Sequence, residues 1–338
     1  MMRRALPLTL LLLFLLSCGS PAATVAPPPL LVTTTPSPAQ PPTPLPTDTP
    51  PPTATPMPPL RFERVLIVSF DGLRPDAIAA SEMENVLALM RGGAYTFGAQ
   101  TIMPSVTLPA HSSMLVGTCP AKHIVRWNQY VPENGYAIGM DLFDLAHSAG
   151  LRTVMVVGKE KLRQVTEPAS TDFFAFVDDT DKITDPFTIE QLAIQQMMKG
   201  FNLMFVHFPN GDIEGHDHGW MSKRQLKQYW RDDESFGYIL TALKNLGLYE
   251  STLIIVTADH GGHDTTHGSD RLEDMTIPWI ISGLGIQSRQ LTTPVHTTDT
   301  AATAAFALGL PLPPEWDGIP VYEAFDLPAA AREVPVCE

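Results

Sequence analysis

Thiol chemistry is nearly absent from this chain. It has three cysteines in 338 residues and no Cys-x-x-Cys spacing, which argues against a thiolate zinc site or a dithiol redox motif. It also lacks any apolar run of the roughly 20 residues a membrane-spanning helix needs. Positive charge is scarce: 22 Lys and Arg stand against 36 Asp and Glu, for a net charge of -14. The first sixty residues hold Arg3, Arg4 and Asp48, so residues 61–338 carry -15. A domain that acidic is a poor partner for long nucleic acid, whose phosphates demand cations. A small phosphate ester remains open to it, because bound cations invert the local field. No internal repeat is present.

The amino terminus, by contrast, is rich in signals. Arg3 and Arg4 precede an apolar run from Leu10 to Leu16 and then Ser17-Cys18, the pattern of an export signal over residues 1–18. Leu15-Leu-Ser-Cys18-Gly19 resembles the lipobox of bacterial lipoproteins. That resemblance implies a lipidated Cys18 and a membrane-anchored protein facing outside the cytoplasm. Each buried methylene of the lipid stabilises such attachment by about 0.8 kcal/mol. Residues 19–60 hold about half of the 33 prolines, mixed with Thr, Ala and Ser, and no apolar period. Such a segment is expected to be a disordered tether, reaching at most roughly 130 Å when extended. Cys119 and Cys337 then remain, either bridged in an exported chain or apart.

Function therefore falls to residues 61–338, long enough for one large domain. Val65-Leu-Ile-Val-Ser-Phe70 is a continuous apolar run of strand length, as expected for a strand covered on both faces. Further strands are predicted at 152–157, 173–177, 202–208, 253–257 and 277–282. Helices are predicted at 77–91, 108–116, 142–148, 189–198, 222–246 and 299–308. The alternation implies an α/β fold with a mainly parallel central sheet between helical layers.

Carboxylates and imidazoles gather just past these strands, where open α/β sheets place their ligands. Asp71 follows the first. Asp212 and His216 follow the strand ending at Phe208, Asp259 and His260 the one ending at Thr257, and His267 lies in the glycine-rich loop beyond. Each alone reads as an ordinary loop residue. Together they crowd like charges at one sheet edge, which is costly unless cations compensate. Oxygen and imidazole donors without thiolate suit zinc or a similar divalent transition metal. Thr107 stands at the start of the 108–116 helix, with Pro109 where a first turn tolerates proline. Its hydroxyl is either a helix cap or a group facing an anionic phosphoryl held at the helix's positive end.

Five stretches together resemble the type I phosphodiesterase/nucleotide pyrophosphatase branch of the alkaline phosphatase superfamily. They are Ser69-Phe-Asp-Gly-Leu-Arg-Pro75, Pro104-Ser-Val-Thr-Leu-Pro-Ala-His111, Asp212-Ile-Glu-Gly-His-Asp-His-Gly219, Thr257-Ala-Asp-His-Gly-Gly262 and Ile277-Pro-Trp-Ile-Ile-Ser-Gly-Leu-Gly285. The resemblance covers most of residues 64–320 and implies an alkaline-phosphatase-like α/β/α sandwich with two zinc ions. One would be held by Asp71, Asp259, His260 and the Thr107 oxygen, the other by Asp212, His216 and His267. It further implies a phosphothreonine intermediate on Thr107, and Asn128 acting with the Leu108 amide on a phosphoryl oxygen. His111 would orient the nucleophile helix, and His267 is preferred over His263 because Gly268 follows it. Where the family usually has Gly after the His of the His123 motif, this chain has Ile124. The expected substrate is a small phosphate ester or anhydride. A phosphomonoesterase or phosphotransferase, and a non-catalytic surface-displayed binding lipoprotein, are the competing readings. A sulfatase is not expected, since Thr107-Leu-Pro-Ala-His lacks the C/S-x-P-x-R context.

Overall fold

The computed structural model describes residues 62–178, 184–329 and 337; the expected signal peptide and tether lie outside them. Eight strands form one sheet: β1 (Arg64–Phe70), β2 (Ala94–Gln100), β3 (Thr153–Val157), β4 (Phe173–Phe176), β5 (Leu203–Phe208), β6 (Thr252–Thr257), β7 (Thr276–Ser282) and β8 (Arg289–Gln290). Their order is β4-β3-β5-β1-β6-β7-β2-β8. The first five in that order run parallel, while β7 is antiparallel to both β6 and β2. β1, β3, β5 and β6 are buried almost end to end, which explains their unbroken Val, Leu, Ile and Phe composition.

The helices are α1 (Pro75–Ala80), α2 (Glu84–Gly92), α3 (Thr107–Val116), α4 (Pro120–His123), α5 (Leu142–Ser148), α6 (Pro186–Met198), α7 (Asn210–His218), α8 (Lys223–Asn245), α9 (Leu272–Met275) and α10 (Asp299–Ala307). α1, α2, α6 and α7 pack with α8 as one layer, and α3, α5 and α10 pack together as the other, on the two sides of the sheet.

The single helix expected at 77–91 is two. Glu82 takes a left-handed φ of 53° between them, and α2 restarts where Asp233 of α8 can receive its free amides. Asn85 N donates to Asp233 Oδ2 at 3.0 Å and Val86 N to Oδ1 at 3.0 Å. α7 and β2 have no apolar period to announce them, and both are regular elements. Val106, not Thr107, is the N-cap residue of α3, and Thr107 is its first helical residue. The capping role for Thr107 is thereby excluded. Cys119 and Cys337 form a disulfide across 218 positions, and Met103 N donates to Cys337 O at 2.9 Å. The bond ties the described carboxyl-terminal residue beside the segment that leads into α3.

Candidate active site

Three adjacent strands, β5, β1 and β6, end side by side, with Ser69 paired to both His207 and Thr257. The chain just past each end supplies the acids: Asp71 after β1, Asp212 in α7 after β5, Asp259 and His260 after β6. Two glycines permit the approach. Gly72 has a φ of +71°, and its N–H donates to Asp259 Oδ1 at 3.1 Å. At Gly211 a Cβ would lie 1.9 Å from Tyr229, whose hydroxyl donates to Asp71 O at 3.2 Å.

All the residues singled out in the sequence come together here, except those already set to one side. Thr107 Oγ1 lies 3.5 Å from His260 Nε2. His260 Nε2 lies 3.5 Å from Asp71 Oδ1, 3.2 Å from Asp259 Oδ2 and 4.0 Å from Asp212 Oδ1. Asp212 Oδ1 is 3.4 Å from His216 Nε2 and 3.3 Å from His267 Nε2, the first pair being four residues apart on one face of α7. Donor atoms close enough to share a cation form two groups, Asp71, Asp259 and His260, and Asp212, His260 and His267. His260 stands between them, and His216 Nε2 joins the second at 3.1 Å from His267 Nε2. His263 is elsewhere, paired with Asp274 at 2.7 Å.

Hydrogen bonding fixes which way the imidazoles face. The Nδ1–H of His260 donates to Gly261 O at 2.8 Å, that of His267 to Ser105 O at 2.9 Å, and that of His216 to Thr265 O at 3.0 Å. Each Nε2 lone pair therefore points into the site. Three carboxylate oxygens there, Asp71 Oδ1, Asp212 Oδ1 and Asp259 Oδ2, are buried without a hydrogen-bond partner. A cluster of acceptors facing one another, with too few donors, suits metal cations.

The protonation states agree. Burial, then the neighbouring His267, takes His260 down to about 3, and burial also lowers His267, so both are neutral donors at pH 7. Burial pushes Asp71 up, but the Lys159 ammonium and the His207 hydrogen bond outweigh it and hold Asp71 well below the usual carboxylate range. Asp212 is lowered too, burial being outweighed by Lys159. Asp259 goes the other way, raised by burial and by the Asp71 charge.

Lys159 carries no signal in the sequence, being a cation past a strand end where acids and imidazoles mark the others. It follows β3, the next strand in the sheet, and its Nζ sits 2.7 Å from Asp71 Oδ2, 2.5 Å from Asp212 Oδ2 and 3.4 Å from Thr107 Oγ1. His207, the lone polar group in an apolar strand, was passed over as well. Its Nδ1 accepts from Gly158 N at 3.3 Å, so its Nε2–H donates to Asp71 Oδ2 at 2.9 Å. His111 bridges the start of α3 and the end of β1. It donates from Nδ1 to Thr107 O and accepts at Nε2 from Ser69 Oγ, both at 2.8 Å. Asn128 Oδ1 accepts from Leu108 N at 2.9 Å and from Lys161 Nζ at 3.2 Å. Asn128 and the Leu108 amide are thus bonded to each other. Ile124 occupies a left-handed conformation, φ 63°, at the end of α4, where a glycine would sit without strain.

The cluster opens into a cavity of about 490 Å³ lined by Thr107, Asn128, Tyr130, Lys159, Lys161 and Phe176, among others. A larger hollow of about 650 Å³, lined by Phe62, Leu151 and Leu308 among others, lies at the opposite strand edge and contains no imidazole. The chemistry belongs to the smaller one.

Residues 65–278 match the family model described as type I phosphodiesterase / nucleotide pyrophosphatase. The chain is 26% identical over 294 residues to the catalytic subunit of human GPI ethanolamine phosphate transferase 2, covering 81% of this chain and 29% of that protein. It is 25% identical over 224 residues to ectonucleotide pyrophosphatase/phosphodiesterase family member 1 of Rattus norvegicus, covering 60% of this chain and 24% of that one. The chain thus spans about a quarter of the length of these curated relatives. The solved structure of the alkaline phosphatase PafA superposes with a TM-score of 0.66 at 13% identity, covering 78% of this chain and 99% of that one, which bears out the expected alkaline-phosphatase-like fold. With more than half its length matched in one continuous block, the chain belongs to the type I phosphodiesterase/nucleotide pyrophosphatase family.

Proposed function

We propose that this protein is a metal-dependent hydrolase that opens phosphodiester or phosphoanhydride bonds with Thr107 as nucleophile. One observation supports this above the rest: a buried threonine hydroxyl at a helix N-terminus lies 3.5 Å from His260 Nε2, beside carboxylate oxygens that lack a partner. Asp71, Asp259 and His260, with the Thr107 oxygen, would hold one zinc ion, and Asp212, His216 and His267 a second. When bound, two such ions supply the Lewis-acid charge that stabilises the entering and leaving oxygens of an in-line displacement.

The remaining steps belong to the chain. The first turn of α3 presents the positive end of its dipole to the phosphoryl oxygens, while Asn128 already accepts from the Leu108 amide. His111 holds the Thr107 carbonyl, and with it the start of the helix, in place. Thr107 Oγ1 forms a bond to phosphorus as the bond to the leaving oxygen breaks. Water then cleaves the phosphothreonine and restores the hydroxyl. Lys159 and Lys161 flank the entry, and burial followed by the Lys159 charge lowers Lys161 to about 8.

Those two lysines also favour a second reading, a phosphomonoesterase. A monoester brings one more negative charge than a diester, and two ammonium groups near Thr107 and Asn128 match it. Anchoring through a lipidated Cys18 completes the proposal. The Cys119–Cys337 bond supports export, because disulfides persist in oxidising compartments.

The test is turnover of bis-p-nitrophenyl phosphate and of p-nitrophenyl phosphate by the zinc-loaded chain. The diester reading expects the first to be faster, and the monoester reading the second. Thr107→Ala is expected to lower turnover by roughly a thousandfold or more at unchanged zinc per chain. Near-normal turnover in that variant rejects the nucleophile, and no turnover of either ester by the parent leaves a binding lipoprotein.

A further inference from the structure

The outer face of α8 breaks the charge pattern of the molecule. Residues 61–338 carry -15, yet from Gly219 to Arg231 the chain holds Lys223, Arg224, Lys227 and Arg231 with no carboxylate. Helical spacing puts Lys223, Lys227, Trp230, Glu234 and Tyr238 on one stripe, and all five are exposed, Trp230 by 42% and Tyr238 by 62%. Lys223 and Lys227 have no ion-pair partner among the described residues.

The stripe does not serve the helix. Ser222 caps α8 by accepting from Gln225 N at 3.3 Å, and Lys223 and Arg224 are its first two residues, with no acidic side chain in that turn. Cations there oppose the macrodipole at a cost of roughly 0.3–1 kcal/mol each. A local rule broken without a local gain points to another use. Beside the stripe, the end of α1 and α8 enclose a groove of about 430 Å³, lined by Ala80, Ser81, Glu82, Lys223, Leu226, Lys227 and Trp230. Two ammonium groups and an indole wall form a seat for a phosphate-bearing headgroup, and Glu82 is the one carboxylate on its rim.

We infer that this stripe and groove dock the domain on an anionic phospholipid surface. Charge complementarity carries the choice of occupant: lysines beside exposed tryptophan and tyrosine match an interface where anionic headgroups meet apolar chains. The stripe begins where α7 ends, with Arg224 2.8 Å from His218, so docking brings the His216 side of the catalytic cluster towards the headgroups. The inference is independent of the reaction proposed above.

The test compares the full chain with a Lys223→Gln/Lys227→Gln/Trp230→Ala variant on vesicles of phosphatidylcholine alone and of phosphatidylcholine with phosphatidylglycerol. The amino-terminal apolar run partitions into any bilayer, so the reading is the difference between the two vesicle types. The parent is expected to bind the anionic vesicles roughly tenfold or more tightly, and the variant to lose that preference. Raised salt should weaken the preference as well. Hydrolysis of p-nitrophenyl esters in solution should be equal in both proteins. Glycerol phosphate, followed by the Trp230 fluorescence that Trp230→Phe removes, reads the groove without a membrane and is expected to bind weakly. Equal binding to both vesicle types by the parent, or an unchanged preference in the variant, overturns the inference. So does concentration-dependent self-association that the same substitutions abolish.

Discussion

The cluster of carboxylates and imidazoles has a buried part and a rim part. Asp71, Asp259 and His260 show no exposed side-chain surface, while His216 is 44% exposed on a short helix and His267, only 6% exposed, stands on the loop beside it. The buried donors sit on the ends of the two strands that pair with each other at the centre of the sheet. Their geometry is inherited from the core, so a change there is felt by the fold. The rim donors are held by α7 and a loop, so a change there should be felt mainly by the cation and the substrate. Rigid and adjustable donors thus share one site, with His260 between them.

The largest test of that contrast is Asp71→Asn against His216→Ala, compared by denaturant unfolding in chelator. Asp71 is held below its ordinary value, so its ionised form stabilises the fold at neutral pH, and that stability fades as pH falls through its lowered pKa. Removing the charge leaves Lys159 and His207 short of a partner, for an expected loss of about 3–5 kcal/mol. His216→Ala is expected to cost about 1 kcal/mol, and both variants should hold less zinc per chain. Equal losses of stability would erase the distinction between the halves.

A finer test lies within the buried half. Asp259 is raised by burial and by Asp71, so its charge works against folding at pH 7. Asp259→Asn should unfold at the same temperature as the parent in chelator, or higher, while still losing zinc. A drop in that temperature would show that burial and the Asp71 charge do not raise Asp259 in the folded chain.

Away from the cluster, burial pushes Asp232 up to about 7. Folding therefore binds a proton there, and stability falls as pH rises from about 4 to 7. Asp232→Asn removes that dependence and should add about 1–3 kcal/mol at pH 8 and little at pH 4, measured by thermal unfolding across pH. A small effect is also expected at the end of α4, where Ile124→Gly relieves the left-handed strain and should add about 1 kcal/mol by thermal unfolding.

Much of this arrangement is legible in the sequence, for a physical reason. Strands buried on both faces must be continuously apolar, so their ends are visible, and Asp71, Asp212 and Asp259 each follow such an end. What a single chain does not display is which ends lie side by side. Lys159 comes 52 residues after Thr107, and its proximity depends on β3 lying next to β5. His207 hides because one polar residue does not interrupt an apolar run. α7 is invisible to periodicity because its inward face is carboxylate and imidazole, where a core helix would carry leucine.

The bond between Cys119 and Cys337 has a consequence for timing. A ribosome makes the Thr107 segment more than two hundred residues before the second sulfur exists. Until that sulfur arrives, the stretch after α3 has nothing covalent to clasp, so a nascent chain passes most of its synthesis with this latch open. Closure of this latch is in this sense gated by the arrival of Cys337.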